Sequence, residues 1–386
     1  MQSNDKIQPL TSGQSLFLDF TRFIAAQVVV VAHLLEWLYW PYVNSDHSAP
    51  KHYDWSDYFI NKSEIMGVYA VSVFFVLSGF LISKSIFKSH YTTGFSLGEY
   101  IFNRIARLLP TLLIAIAVSL LVYCIISLFG LFGHRSYILP DLSATFPRAS
   151  ADIKISTTVA TTLFLNGMIG VPGINLGTIN MNGPLWSLSH EFWFYICAGL
   201  MAHGFFNKKN WAIILSISFI LWQIVFGNFI WIAGLFIWSL GAINPQMKLL
   251  NKPFITGFLM FLFSLFILNK NYSLGLTLAD RLLCGVSAFL LVSWGLSAFS
   301  EKNTRVPIIK KAASYSFTLY AIHWPLIVLF VGFFGPRFNK WSTPQKTLSY
   351  LLLFLGINII AYIISKWSED TIRWRNLLFR LKPENK

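Results

Sequence analysis

The chain has 386 residues, of which 55% are hydrophobic and 12% charged, and it carries a formal net charge of +14. Soluble domains carry about 25% charged residues, so this composition and the long apolar runs predict a polytopic helical membrane protein. The apolar runs show no period-2 alternation, which argues against a β-barrel. No basic run is interleaved with aromatic residues outside the apolar segments, so the excess charge indicates cytoplasmic loops and not a nucleic acid partner.

Ten membrane spans are predicted in chain order, which makes the fold class all-α, a polytopic helix bundle. The spans lie near residues 17–38, 66–87, 108–132, 185–206, 211–226, 228–244, 253–269, 278–299, 313–334 and 346–367. Segment 154–170 is apolar but rich in Thr, Gly and Asn, and we expect a partial or interfacial helix there. The three cysteines lie in apolar runs without a C-x-x-C pair, which disfavours disulfide or zinc roles.

Charge distribution predicts the orientation of the chain in the membrane. With the N-terminus in the cytoplasm, about two thirds of the Lys and Arg residues fall in cytoplasmic segments, so both termini are expected inside. A full span at 154–170 would reverse everything after it and put Lys208 outside. The membrane domain is predicted over residues 1–370, and a basic cytoplasmic tail over 371–386, beginning with an amphipathic helix at the membrane surface.

The first span carries ionisable residues inside an apolar run. Arg22 and His33 are separated by ten residues, so they share one helix face and lie about 16 Å apart along the axis. Asp19 and Glu36 extend the same stripe by one turn at either end. An arginine in hydrocarbon costs roughly 3 kcal/mol on insertion scales, so such residues are rare and usually functional. The stripe is therefore expected to face the interior of the bundle.

The fourth span begins with the motif N-G-P-L-W-S-L-S-H-E. By the predicted orientation, His190 and Glu191 lie at a depth similar to that of His33. Imidazole beside carboxylate is the combination that a proton-transfer site needs. The alternative is a buried polar cluster that joins two helices. Trp186 in the same motif is expected chiefly to pack beside the site.

Three further motifs carry polar residues into or next to apolar runs. In the second span, Ser78 is a small polar residue, and Gly79 permits close approach of another helix. Arg104 and Arg107 lie one turn apart at the start of the third span, where they are either topology anchors or a clamp for phosphate groups. His323 lies near the middle of the ninth span, where a histidine needs a partner or has a function.

Together these motifs resemble the membrane acyltransferase type 3 family, which O-acylates cell-surface carbohydrates. The resemblance covers nearly the whole chain and rests on the Arg22–His33 unit followed, in family order, by F-F-V-L-S-G-F-L-I, N-R-I-A-R-L-L-P, P-L-W-S-L-S-H-E and S-Y-S-F-T-L-Y-A-I-H-W-P. Two positions depart from the family pattern. Phe20 stands where the family usually has Gly, and Ser72 stands where it often has an acidic residue.

The resemblance implies an integral membrane O-acyltransferase of the bacterial inner membrane, with O-acetyl transfer as the favoured reaction. It also implies the stand-alone form, without a hydrolase-like domain. Acetyl-CoA would be the donor co-substrate, without a metal. A hydroxyl of a lipid-linked or surface glycan, such as O-antigen or capsule, would be the acceptor. A proton-coupled transporter or flippase of a glycan lipid or small anion is the alternative, but no repeat symmetry is evident in the sequence.

The resemblance also implies roles for the candidate residues. His33 would be the general base or a transient acyl carrier, and Glu191 or Glu36 would orient it. Donor binding is expected at the arginines and at the small hydroxyl residue of the second span: Arg22, Arg104, Arg107 and Ser78. Supporting or substrate-binding roles are expected for His190, His323, Trp186 and Asp19.

Overall fold

The computed structural model describes residues 9–38, 55–131, 153–171, 174–175, 177, 179–243, 252–269, 276–300, 306–338 and 341–380. In chain order the elements are helices α1 (Ser12–Leu38), α2 (Trp55–Thr92), α3 (Leu97–Leu128) and α4 (Ile155–Thr162), strands β1 (Ile169–Val171) and β2 (Ile174–Asn175), a 3-10 helix (Asn180–Leu185), and helices α5 (Trp186–Asn207), α6 (Asn210–Val225), α7 (Phe229–Ile243), α8 (Pro253–Asn269), α9 (Leu278–Ala298), α10 (Pro307–Ala313), α11 (Ser316–Phe338), α12 (Thr343–Ser368) and α13 (Thr371–Arg380).

A helix occupies each of the ten predicted spans, which confirms the all-α membrane class. Within the described ranges, six helices are long and apolar enough to cross a membrane, namely α1, α2, α3, α9, α11 and α12. Helices α6 and α7 are apolar but shorter. The predicted division between membrane domain and tail falls between α12 and α13, and residues 381–386 lie outside the described part of the chain.

The apolar segment 154–170 forms only a partial helix, as predicted. Helix α4 has 8 residues, which cover about 12 Å along a helix axis. The hydrocarbon core of a bilayer is about 30 Å thick, so α4 is too short to cross it. The chain then enters the antiparallel hairpin of β1 and β2. The 3-10 helix that follows leads directly into α5.

Small residues let the helices around the bundle centre approach closely. A Cβ atom on Gly79 of α2 would lie 2.0 Å from the carbonyl oxygen of Trp238, and one on Gly241 of α7 would lie 2.1 Å from that of Val76. Both positions therefore exclude any side chain larger than hydrogen, as expected for Gly79 from the sequence. This crossing brings the indole of Trp238 to Ser78.

Helices α1 and α2 run antiparallel and bring their polar residues to matching depths. A Cβ on Gly67 would lie 3.8 Å from the Cβ of Ala32, near one end of the pair. Arg22 and Ser78 line a common cavity nearer the other end. Helix α11 packs against α1 and α3. The same helices therefore enclose both Arg22 and, about three turns further along α1, His33.

Candidate active site

A cavity of about 220 Å³ lies between α1, α2, α3, α5 and α11. All four residues predicted to bind the donor line it, and so does Glu191. The polar lining is Arg22, Ser78, Arg104, Arg107, Ser187, Glu191, Tyr195, Ser316 and Tyr320. The apolar lining is Val71, Phe74, Phe75, Leu77, Leu81, Ile82, Leu108, Leu188 and Phe317. The lining holds three guanidinium groups and one carboxylate, so it carries an excess of positive charge that favours an anion.

Helix α3 presents two of the arginines on one face. The side chain of Ser96 caps the start of α3, and Arg104 and Arg107 follow one turn apart. The Arg104 guanidinium lies over the rings of Tyr100 and Tyr195, at 5.5 and 5.9 Å from their centroids. Its Nε is buried and has no hydrogen-bond partner among the described residues. Aromatic stacking thus holds the Arg104 fork in place while leaving that donor free.

Arg22 reaches the same cavity from α1. Its Nη1 lies 3.3 Å from a carboxylate oxygen of Asp19, so the two side chains form an ion pair one turn apart on α1. Arg22 also interacts electrostatically with Arg107, Glu191 and Glu369. A guanidinium has five N–H donors, and in the part of the chain that the structure describes Arg22 bonds only to Asp19, which leaves capacity for a ligand.

Glu369 is a member of this charged cluster that the sequence did not single out. It accepts hydrogen bonds from the backbone N–H and the hydroxyl of Thr318, at 2.8 and 2.7 Å. It also interacts electrostatically with Arg107 and Arg22. Glu369 lies just after α12, where the sequence is typical of the start of a surface tail. Its position beside the arginines is therefore visible only in the folded chain. It partly neutralises them and anchors the first turn of α11.

A chain of hydrogen bonds fixes Glu191 inside the cavity. The indole of Trp238 donates to the hydroxyl of Ser78 at 3.2 Å, and Ser78 donates to the Tyr195 hydroxyl at 3.0 Å. Tyr195 in turn donates to the carboxylate of Glu191. Ser78 therefore has a structural role here as well as lining the cavity. Tyr195, which was not predicted, lies one turn after Glu191 on α5.

The far end of the cavity is closed by Tyr320 and its neighbours. The hydroxyls of Ser187 and Tyr320 lie 2.5 Å apart, and Tyr320 donates to the carbonyl of Pro184 at 2.8 Å. The ring of Phe74 packs edge-on against that of Tyr320, with centroids 5.8 Å apart. Two hydroxyls and an aromatic pair thus form the wall nearest to His323.

His33 is paired with His323, and no carboxylate among the described residues hydrogen-bonds to it. Nδ1 of His33 lies 2.7 Å from Nε2 of His323, and neither residue lines the cavity. The expectation that Glu191 orients His33 is therefore wrong, because Glu191 is bonded to Tyr195. Glu36, the other candidate, interacts electrostatically with Glu64. The histidine pair lies about one helical turn beyond Tyr320 along α11.

His190 does not join His33 either. Its Nε2 lies 3.2 Å from the carbonyl oxygen of Gly167, and its ring packs edge-on against Trp186, with centroids 5.0 Å apart. Successive residues on a helix point about 100° apart. His190 and Glu191 therefore face different neighbours, and Glu191 lies with Arg22 in the cavity and not beside His33. His190 and Trp186 fasten α5 to the turn that follows α4.

Comparison with known proteins supplies the family. The acyltransferase 3 family model, described as an acyltransferase domain, matches residues 15–365. An O-acetyl transferase of Shigella phage Sf6 is 30% identical over 199 residues, which cover 52% of this chain and 49% of the relative. The chain thus matches about half the length of that relative. No solved structure matches the chain. Since the family model spans most of the sequence, including every site residue predicted from the sequence, the chain belongs to the acyltransferase 3 family.

Proposed function

We propose that this protein is an integral membrane O-acetyltransferase that moves the acetyl group of acetyl-CoA to a hydroxyl of a cell-surface or lipid-linked glycan. The observation that carries the proposal is the cavity in which Arg22, Arg104 and Arg107, from two helices distant in sequence, meet beside Ser78 and Glu191. Membership of the acyltransferase 3 family and the name of the phage relative support the reaction class.

Coenzyme A fits the chemistry of the cavity. Its phosphates match the bidentate geometry of guanidinium groups, and its pantetheine arm suits the apolar walls formed by residues such as Leu81 and Leu108. With the phosphates at the arginines, the arm would extend toward Tyr320. The thioester would then approach the wall that separates the cavity from the histidine pair.

The acceptor chemistry is assigned to His33. The imidazole takes the proton of the sugar hydroxyl, the oxygen attacks the thioester carbonyl, and the C–S bond breaks. The products are the acetyl ester of the sugar and coenzyme A, whose thiolate takes up the proton. In the predicted orientation the arginines lie near the cytoplasmic face of the bacterial inner membrane, and His33 lies in the outer half. Donor and acceptor would therefore arrive from opposite sides.

The proposal is tested by measuring donor binding and acetyl transfer separately. We expect purified His33→Ala to bind acetyl-CoA as the parent does and to lose transfer, because removal of a base affects the transition state and not the ground state. Each variant must first elute as a monodisperse peak. A transfer rate within about tenfold of the parent, a barrier difference of only about 1.4 kcal/mol, would show that His33 is not the base.

Glycan analysis of cells with and without the gene then tests the acceptor. We expect O-acetyl groups to be lost from one surface glycan in cells without the gene, and to return with the parent gene but not with His33→Ala. Purified protein that neither binds nor hydrolyses acetyl-CoA would contradict the enzyme and favour a carrier.

A further inference from the structure

Hydrogen bonds connect the histidine pair in series to a backbone carbonyl. Nδ1 of His323 lies 2.7 Å from the carbonyl oxygen of Tyr320 and 3.2 Å from that of Leu319. Its other ring nitrogen, Nε2, lies 2.7 Å from Nδ1 of His33. The two imidazole planes are parallel to within 1°. Three groups are thus linked in series: a backbone carbonyl, a buried imidazole and a second imidazole.

This order of partners fixes where the protons lie. A carbonyl oxygen only accepts, so Nδ1 of His323 carries a hydrogen and donates it. In a neutral ring Nε2 of His323 then has a lone pair and accepts from Nδ1–H of His33. Nε2 of His33 is consequently left with its own lone pair. No group in the described ranges hydrogen-bonds that Nε2.

Packing holds both rings in this arrangement. His323 is fully buried, and Trp324 lies nearly perpendicular to the His33 ring, with centroids 4.9 Å apart. Pro325 has no amide hydrogen, so the carbonyl of Ala321 lacks its usual helical donor. The side chain of Asn182 supplies a donor at 2.8 Å. The segment of α11 that bears His323 is therefore tied to the 3-10 helix on its other side.

We infer that His323 is a positioning residue that fixes His33 as the Nδ1–H tautomer and leaves Nε2 of His33 as the atom that takes the proton from the acceptor hydroxyl. The inference rests on the proposed function. When Nε2 takes up the proton, Nδ1–H still donates to His323, and the bond becomes charge-assisted. A neutral imidazole anchored to a carbonyl thus takes the orienting role that carboxylates have in other proton-transfer sites.

The tautomer is tested on the unaltered protein by nitrogen NMR. Protein labelled with ¹⁵N in its histidines and reconstituted in lipid bilayers gives separate signals for protonated and unprotonated ring nitrogens, and the His33 signals are those lost in His33→Gln. We expect Nδ1 of His33 to be protonated and Nε2 to be unprotonated. A protonated Nε2 with an unprotonated Nδ1 in His33 would overturn the inference. The NMR measurement does not depend on enzymatic activity. Absence of acetyl transfer would contradict the proposed function but would leave this test of the tautomer valid.

Substitution of His323 tests the consequence for catalysis. His323→Leu removes the acceptor for Nδ1–H of His33, and we expect kcat to fall by about 10²-fold or more, within the range that general base catalysis supplies. The KM for acetyl-CoA should not change. His323→Gln keeps a carbonyl acceptor and should lose less. The control is His203→Leu. His203 is bonded to Asn207 near the C-terminal end of α5, away from the histidine pair, so its loss should leave kcat unchanged.

Equal losses of kcat in His323→Leu and His323→Gln, or a rise in KM that accounts for the loss, would show that His323 only packs against its neighbours.

Discussion

At the scale of single residues, the arginines of the cavity differ in what surrounds them. Arg104 is held by two aromatic rings, whereas Arg22 is held by the carboxylate of Asp19. Arg107 is the most exposed of the three and has Glu369 as an electrostatic neighbour. Each guanidinium therefore has a different support but faces the same space, as a clamp for several phosphate groups requires.

Replacement of Arg22 tests whether the shape of its head group matters as well as its charge. We expect Arg22→Lys to lose most of the donor affinity that Arg22→Ala loses, about 1–3 kcal/mol, because an ammonium cannot reproduce the planar fork. Isothermal titration with acetyl-CoA measures the loss. Lys88→Ala is the control, since it removes an exposed cation that does not line the cavity. Full affinity in Arg22→Lys would show that only the charge is needed.

Arg104→Ala and Arg107→Ala should each weaken coenzyme A binding by about 1–3 kcal/mol, the usual scale for a charged hydrogen bond. The difference from the parent should shrink at high salt, because mobile ions screen the phosphates. Titrations of the parent and both variants at two ionic strengths measure this. Unchanged donor affinity in both variants would show that these residues do not bind the donor and act as topology anchors.

At the scale of helices, the crossing of α2 and α7 sets the shape of the cavity. Gly79 follows Ser78 directly, so the backbone contact at Gly79 is what brings Trp238 within hydrogen-bond distance of Ser78. That bond begins the chain that ends at Glu191. Helix packing and the polar geometry of the site therefore depend on the same small residue.

We expect Gly79→Ala to destabilise the protein by roughly 1–3 kcal/mol, because the added methyl group meets a backbone carbonyl and the helices must separate. Thermal unfolding in detergent, followed by the loss of monodisperse protein, measures the change. Gly356→Ala is the matched control in α12, where a Cβ would meet nothing within 4 Å. Its melting temperature should equal or exceed that of the parent, since alanine favours helix. Equal melting of both variants would contradict the close crossing.

At the scale of the whole molecule, an apolar exterior accompanies the polar interior. Large hydrophobic side chains are exposed along α6 and α12, among them Ile214, Leu221, Leu351, Leu355 and Ile359. A soluble surface does not carry apolar patches of this extent. Lipid is therefore the natural solvent for these faces, in agreement with the integral membrane class.

The orientation in the membrane can be checked at two positions. Because α4 is too short to cross, we expect a reporter fused at Lys208 to read cytoplasmic and one at Lys154 to read periplasmic. Paired alkaline phosphatase and fluorescent protein fusions distinguish the two sides. A periplasmic signal at Lys208 would mean that the segment before α5 crosses the membrane, and the depths assigned to Glu191 and the arginines would then be wrong.

The sequence by itself determined the membrane class, the positions of the ten helices and the arginines that line the cavity. Hydrophobicity over a span is a local property of the chain, so helix positions can be predicted without knowing the packing. The arginine set could also be predicted, because intramembrane Arg22 and the paired Arg104 and Arg107 are costly unless they face a polar interior. The structure brings all three into one cavity.

Only the tertiary structure decided which groups meet. Residues at equal depth on different helices touch only if both helices turn the right faces toward each other, and periodicity along one helix does not contain that information. His33 therefore pairs with His323, 290 positions along the chain. Glu191, which was predicted to lie at the depth of His33, instead bonds to Tyr195 and lines the cavity with the arginines. Glu369 reaches the cluster only because α12 ends beside the first turn of α11. The hydrophobicity of each span decides where the helices lie along the chain. Helix packing then decides which side chains of the site meet.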